Sequence, residues 1–225
     1  MRNQFSVKKM VLLAMLAAVA YMMVSLIRVP VVLFLKYEPK DVIITIGGFL
    51  MGPMASFIVS LLVSLLEMVT ISETGPIGAI MNLISTCSFA CTAAIIYKKK
   101  HTLNGAVIGL AVGSVVMVVT MMLWNWLISP LYMFEINSPE DLANARAAVE
   151  ALLLPAFLPF NLLKAGLNSS FILCLYKPLV TALRKTGLIP SPNTQKGSSK
   201  AGVYLFAGAL LITCILLLLV FQGKL

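Results

Sequence analysis

An amide and a lysine interrupt a long apolar stretch in the second half of the chain. Asn161 and Lys164 follow Pro155 and Pro159 there, and their spacing of three residues places them on one face of a helix. A lysine within an apolar span is costly unless it faces a partner, a ligand or water. The pattern therefore predicts that both side chains belong to a binding site. The alternative for Lys164 is a side chain that snorkels to the membrane surface.

The composition indicates the surroundings in which this site must work. The 225 residues are 60% hydrophobic and only 11% charged, which is too apolar for a soluble domain of this size. The net charge of +9 is spread between apolar runs and is not interleaved with aromatic residues, so we expect it to set orientation. These features predict an all-α integral membrane protein whose surroundings are a lipid bilayer, without a nucleic-acid partner.

Seven apolar segments are expected to form membrane helices, with a short surface helix between the fifth and sixth. The segments are Met10–Ile27, Val42–Met51, Pro53–Thr70, Ile77–Tyr97, Asn104–Pro130, Leu153–Tyr176 and Ala201–Phe221, and the surface helix covers Pro139–Glu150. Gly52 and Pro53 interrupt the stretch Val42–Thr70, which can be interpreted either as one kinked crossing or as two crossings. Two crossings place the lysines at positions 98–100 on the cytoplasmic side, in agreement with the positive-inside tendency.

The charges predict the orientation and the domain organisation. Loops assigned to the inside hold basic residues only, and all eight acids fall outside or, for Glu67, in the outer half of a span. We therefore expect a cytoplasmic N-terminus and an external C-terminus. Residues 1–188 form the predicted six-span substrate-binding domain, 189–200 a flexible linker, and 201–225 an additional C-terminal transmembrane helix. Asp41 is expected to cap the helix that follows the first external loop.

With this orientation, the unusual polar residues lie at one external level. Their shared depth predicts a pocket open to the exterior, formed by Tyr37, Glu67, Gly78, Asn82, Asn125, Asn161 and Lys164. Three of these residues have alternative roles: Glu67 reaches the headgroups, Asn82 makes an interhelical hydrogen bond, and Tyr37 anchors the interface. Amides, aromatics and one well-placed lysine favour a flat, partly apolar ligand with carbonyls and hydroxyls over a strongly anionic one.

Several functions are disfavoured by the motifs that the sequence lacks. It holds no G-x-x-x-x-G-K-[ST] loop and no H-E-x-x-H or G-x-S-x-G motif, so we expect neither an ATPase nor another enzyme. Cys87 and Cys91 lie one turn apart, but no histidine near them completes a metal site, and we expect no metal or cofactor. Ala14 and Ala18 have the small-xxx-small spacing of close helix contacts. They either pack within the bundle or dock another membrane protein.

Four motifs together resemble a known transporter family. They are Leu35-Lys-Tyr-Glu-Pro-Lys-Asp41, Gly47-Gly-Phe-Leu-Met-Gly-Pro53, Asn125-Trp-x-x-x-Pro-x-Tyr132 and Pro159-Phe-Asn-x-x-Lys164. With the alanine-rich first helix, they resemble the substrate-binding S-components of energy-coupling-factor (ECF) vitamin transporters, in particular the riboflavin-specific (RibU) type. The resemblance covers about Val7 to Leu188. It does not extend to the seventh helix.

The resemblance implies a six-helix S-component bundle in a bacterial cell membrane, here with a seventh helix added. It implies capture of riboflavin, or its phosphate FMN, from outside, with a transmembrane coupling subunit and two cytoplasmic ATPases as partners. Asn125, Asn161 and Lys164 match positions expected to hydrogen-bond the vitamin, and Tyr37 lies in the loop expected to cap it. Ala14 and Ala18 match the motif that docks the coupling subunit. The alternatives are an S-component for another vitamin, an autonomous secondary transporter, or a purely structural partner-binding protein.

Overall fold

A computed structural model describes residues 7–33, 35–72, 74–185 and 201–223. The described part is a helical bundle with one β-hairpin. Its elements are α1 (Val7–Leu26), β1 (Val29–Val32), β2 (Leu35–Tyr37), α2 (Lys40–Met51), α3 (Pro53–Thr70), α4 (Gly75–Lys99), α5 (Leu103–Leu127), α6 (Ser129–Met133), α7 (Pro139–Leu152), a π-helical turn (Leu153–Phe157), α8 (Leu158–Lys185) and α9 (Ala201–Phe221). The predicted linker at 189–200 lies outside the described residues.

The apolar helices agree with the predicted membrane segments. Within the described residues, six helical stretches are long and apolar enough to cross a membrane: α1, α3, α4, α5, the stretch Pro139–Tyr176 and α9. The remaining segment, α2, has 12 residues and measures only about 18 Å. The fold class is therefore as predicted, an all-α membrane bundle with an additional C-terminal helix.

The break between α2 and α3 is a sharp reversal at Gly52. This glycine has φ +97°, a conformation that suits a residue without a Cβ, and Pro53 follows in the first turn of α3. Phe49, near the end of α2, stacks on Tyr97 at 4.5 Å, close to the lysines that end α4. Lys40, at the start of α2, meets Glu67 near the end of α3. The two helices are therefore separate and antiparallel, as the two-crossing prediction requires.

The loop between α1 and α2 contains a hairpin that the sequence did not predict. Strands β1 and β2 pair antiparallel, with Val29 opposite Tyr37 and an irregularity between Pro30 and Val32. Val31 and Tyr37 are buried in a cluster with Phe157 of the π-helical turn and with residues of α8 and α9. The hairpin is thus packed onto one end of the bundle.

Helices α4 and α5 approach each other closely along a line of small residues. Gly105, Gly109 and Gly113 recur every four residues on α5. A Cβ on Gly109 would stand 2.7 Å from the carbonyl oxygen of Ala93, and one on Gly113 would stand 2.7 Å from that of Phe89. Such contacts admit no side chain, which is why the spacing favours close helix packing in membranes.

Candidate ligand-binding site

A pocket opens at the hairpin end of the bundle. Residues from the hairpin, α3, α4, α5, α8 and neighbouring loops form its wall. They are Arg28, Leu35, Lys36, Glu38, Glu67, Met68, Ser72, Thr74, Ala79, Met81, Asn82, Ser85, Met121, Asn125, Phe160, Asn161 and Lys164. The lining combines amides and charged groups with methionines and a phenylalanine, a mixture suited to a partly apolar ligand with a few polar atoms.

Most of the residues predicted to form the site come together here. Glu67, Asn82, Asn125, Asn161 and Lys164 all line the pocket. The two others, Tyr37 and Gly78, are buried outside its lining. The hydroxyl of Tyr37 donates to Asn168 Oδ1 at 3.1 Å, and Gly78 lies against the side chain of Thr74.

The two amides are held by their own helices. Asn161 Nδ2 donates to the carbonyl oxygen of Phe157, at the end of the π-helical turn, over 2.8 Å. Asn125 Nδ2 donates to the carbonyl of Met121 at 2.7 Å, and Ser129 Oγ donates to Asn125 Oδ1 at 2.9 Å. A π-turn is frequent at functional sites because it redirects the side chains that follow it. Each amide is oriented by these bonds and keeps a further donor or acceptor for a ligand.

Lys164 faces the interior and does not snorkel. Its side chain is 6% exposed, and Nζ lies 3.1 Å from Asp41 Oδ2 and 3.2 Å from Ser85 Oγ. An ammonium carries three N–H groups, so one is left for the pocket that Lys164 lines. This geometry favours the site interpretation of Lys164 made from the sequence.

Asp41 does not cap α2, contrary to our prediction. The helix begins at Lys40 after Pro39, which makes no side-chain cap. The Asp41 carboxylate turns inward, where Thr86 Oγ1 donates to Oδ1 at 2.7 Å and Asn168 Nδ2 to Oδ2 at 3.3 Å, beside Lys164. A charge-assisted contact with a buried ammonium is stronger than a bond to a solvated backbone N–H, so tertiary contacts override the local cap.

A second group of buried charges lies beside the pocket. Lys40 Nζ is 1% exposed, and it donates to Glu67 Oε1 at 2.6 Å and lies 2.7 Å from Glu38 Oε2. Arg28 Nε lies 3.2 Å from Glu38 Oε1, and Asn82 Nδ2 donates to Glu67 Oε2 at 3.2 Å. Glu67 therefore does not reach the headgroups, and Asn82 both lines the pocket and bridges two helices.

Sequence reasoning missed Lys40 as part of the site. Its position in a mixed-charge loop is typical of a solvated residue, and only the hairpin brings it inside. From the sequence we also expected one basic residue at the pocket, whereas Arg28 and Lys36 line it together with Lys164. Together with Lys40, the region holds four cations against the three carboxylates of Glu38, Asp41 and Glu67, an excess of one positive charge.

Comparison with known proteins supplies the family. Residues 8–176 match the model of the family described as "ECF transporter, substrate-specific component". The chain belongs to the substrate-specific components of ECF transporters. The match spans α1 to most of α8, and it ends before α9.

Similar S components agree with the match. The chain is 28% identical to the riboflavin transporter RibU of Staphylococcus aureus (strain TCH60), covering 79% of this chain and 93% of that protein. It is 28% identical to the riboflavin transporter FmnP of Bacillus subtilis (strain 168), covering 70% and 84%. The structure of the S component of a bacterial ECF transporter has a TM-score of 0.63 and 27% identity, covering 78% and 97%. The predicted family is thus confirmed.

Membership decides two further predictions made from the sequence. An S component is part of a transporter and not an enzyme, as expected. It is also a multi-pass protein of bacterial membranes, which agrees with the apolar helices.

The structure also shows where the small residues of α1 lie. Ala14 and Ala18 are exposed on the outer surface of the described bundle, whereas Ala17 and Ala20 face inward and are buried. Ala14 and Ala18 therefore make little contact within the bundle, which leaves their face open to lipid or to another protein.

Proposed function

We propose that this S component captures riboflavin on the external side of the cell membrane and delivers it to the cytoplasm with an ATP-driven ECF module. The observation that carries the proposal is a pocket in which oriented amides and a charge-paired lysine meet apolar side chains. Relatives named as riboflavin transporters share 28% of the aligned residues over most of their length. Riboflavin is here the transported ligand and not a cofactor, because it is bound and released unchanged.

The chemistry of riboflavin fits the pocket. Its isoalloxazine ring has a flat apolar body that methionine and phenylalanine side chains can cover, and an edge of carbonyls and N–H groups. Asn161 can donate to and accept from such an edge, and the remaining N–H of Lys164 can donate to a carbonyl or a ribityl hydroxyl. A ligand without these atoms would leave buried polar groups unpaired, which gives strong discrimination.

The orientation of the chain completes the proposal. The pocket lies at the opposite end of α4 from Lys98 and Lys99, so positive-inside placement of these lysines opens the pocket to the exterior. The same assignment puts the N-terminus in the cytoplasm and the C-terminus outside. Gln222, just after α9, supports the second point, because its Nε2 donates to the carbonyl of Pro30 on the hairpin at 2.9 Å.

The module is proposed to consist of a transmembrane coupling subunit and two cytoplasmic ATPases. The exposed face of Ala14 and Ala18 offers the coupling subunit a surface on which a helix can approach closely. Exposure on the outside of the bundle favours this docking role over internal packing.

Absorbance of the purified protein tests the ligand. We expect bound flavin in the wild type, and we expect Asn161→Ala to weaken riboflavin binding by about 1–3 kcal/mol because a buried hydrogen bond is lost. Asn104→Ala is the matched control, since Asn104 is exposed at the other end of α5. A wild-type protein that binds no flavin would refute the riboflavin assignment and favour another vitamin. Riboflavin uptake by this chain alone in proteoliposomes would instead favour a secondary transporter.

A further inference from the structure

Asp41 is a completely buried carboxylate that does not itself line the pocket. Its side chain is 0% exposed, and its partners are Thr86, Asn168 and Lys164. Of these three, Lys164 alone lines the pocket. Among these contacts, the Lys164 ammonium is therefore the one that connects Asp41 to the pocket.

The short distance between the two groups determines how Lys164 presents itself. With Asp41 Oδ2 at 3.1 Å from Nζ, the charge of the ammonium is balanced within the protein. A balanced ammonium still donates a hydrogen bond to a neutral carbonyl or hydroxyl. An unbalanced one in the same buried place would strongly favour an anion, since charge interactions are large away from water.

The carboxylates that line the pocket have counter-charges as well. Glu38 and Glu67, the two carboxylates in its lining, both lie within 2.7 Å of Lys40 Nζ, which stands behind them. Lys40 balances both from behind the lining, whereas Arg28, which lies 3.2 Å from Glu38 Oε1, lines the pocket itself. Such pairs keep the polarity of the side chains but reduce their net attraction for charged ligands.

We propose that Asp41 is a positioning and specificity residue, which orients Lys164 and balances its charge so that the pocket selects a neutral flavin over an anionic one. The inference rests on the proposed riboflavin function. Tyr37 takes part at the far side of the network, because its hydroxyl donates to Asn168, which in turn donates to Asp41. The hairpin that bears Tyr37 is thereby tied to the same carboxylate.

The test compares affinities for riboflavin and FMN, which differ by a phosphate. In Asp41→Asn we expect the preference to move toward FMN by about tenfold or more, because the Lys164 charge is no longer balanced. In Lys164→Met the Asp41 carboxylate is left without its cation, and the preference should move further toward riboflavin. In the background of Lys164→Met, the additional Asp41→Asn substitution should shift the preference toward FMN by much less than it does in the wild type, since the ammonium through which it acts is gone.

Asp141→Asn is the matched control for charge, since Asp141 lies on α7 away from the pocket. It should leave the preference unchanged. If Asp41→Asn fails to fold, Lys164→Met still decides, because an equal loss of affinity for both flavins there would overturn the inference. So would an unchanged preference in folded Asp41→Asn, or a shift toward FMN of the same size when Lys164 is absent. Wild-type protein that binds neither flavin refutes the proposed function and this inference together, whereas normal flavin binding with unchanged preferences refutes the inference alone.

Discussion

Two contact regions of the bundle are held by different interactions, one by close apolar packing and the other by buried charge pairs. Between α4 and α5, near Gly109, the helices touch through backbone and small side chains, with no room for a Cβ. At the pocket, the hairpin, α2, α3, α4 and α8 meet through side chains with full charges, such as Lys40 with Glu67 and Lys164 with Asp41.

The difference indicates what each region contributes. Close apolar contacts gain dispersion energy and suit helices within lipid, but they recognise little beyond shape. Buried charges gain little net stability because desolvation opposes their attraction, yet they are costly to break and define one geometry. The first region therefore holds the bundle together, and the second places the groups that line the pocket.

Removal of one charge at the pocket should have the largest effect. Lys40→Met leaves Glu38 and Glu67 without their common cation, and we expect a loss of about 3–5 kcal/mol because the carboxylates stay buried and unpaired. Thermal denaturation in detergent and riboflavin titration would measure it. Lys99→Met, an exposed lysine at the other end of the bundle, is the control and should change neither quantity. Equal behaviour of the two variants would show that the Lys40 cluster is not structurally important.

A larger side chain between α4 and α5 should damage stability and spare recognition. Gly109→Leu forces the helices apart at the Ala93 carbonyl, and we expect a loss of about 1–3 kcal/mol or more. Gly109 does not line the pocket, so the fraction that remains folded should bind riboflavin with an affinity within about threefold of the wild type. A melting curve together with titration of the folded fraction separates the two effects. A large drop in affinity at unchanged stability would contradict the division between the two regions.

The apolar region was the more predictable from sequence. Long apolar runs, the break at Gly52 and the surface helix near Pro139 all follow from local composition, and the structure confirms them. The recurrence of Gly105, Gly109 and Gly113 is a legible signal that our sequence reasoning did not use. Periodicity works here because a helix in lipid satisfies its own backbone.

The pocket was predictable only in part. Asn161 and Lys164 stood out because polar groups are rare within an apolar span. Lys40 and Asp41 did not, because they lie in a charged loop, where a solvated surface position is the ordinary expectation. Their burial depends on the hairpin and on partners more than 25 residues away in sequence, such as Glu67 and Lys164. Local patterns carry no information on such pairings.

The helix α9 allows the same substitution to be tested at a contact outside the family match. A Cβ on Gly166 of α8 would stand 2.7 Å from Cys214 Sγ, so Gly166→Leu should push α9 away from α8. We expect a smaller loss of stability than for Gly109→Leu, because α9 is exposed over most of its surface. The helix also provides no residue to the pocket lining. Loss of its contact with the hairpin through Gln222 should weaken riboflavin binding by less than about 1 kcal/mol, as for one exposed hydrogen bond. Titration of Gly166→Leu beside Gln222→Ala would show this. Affinity lost in Gly166→Leu to the extent seen for Asn161→Ala would make α9 part of the binding domain, because its contact with the hairpin would then determine how the pocket is closed.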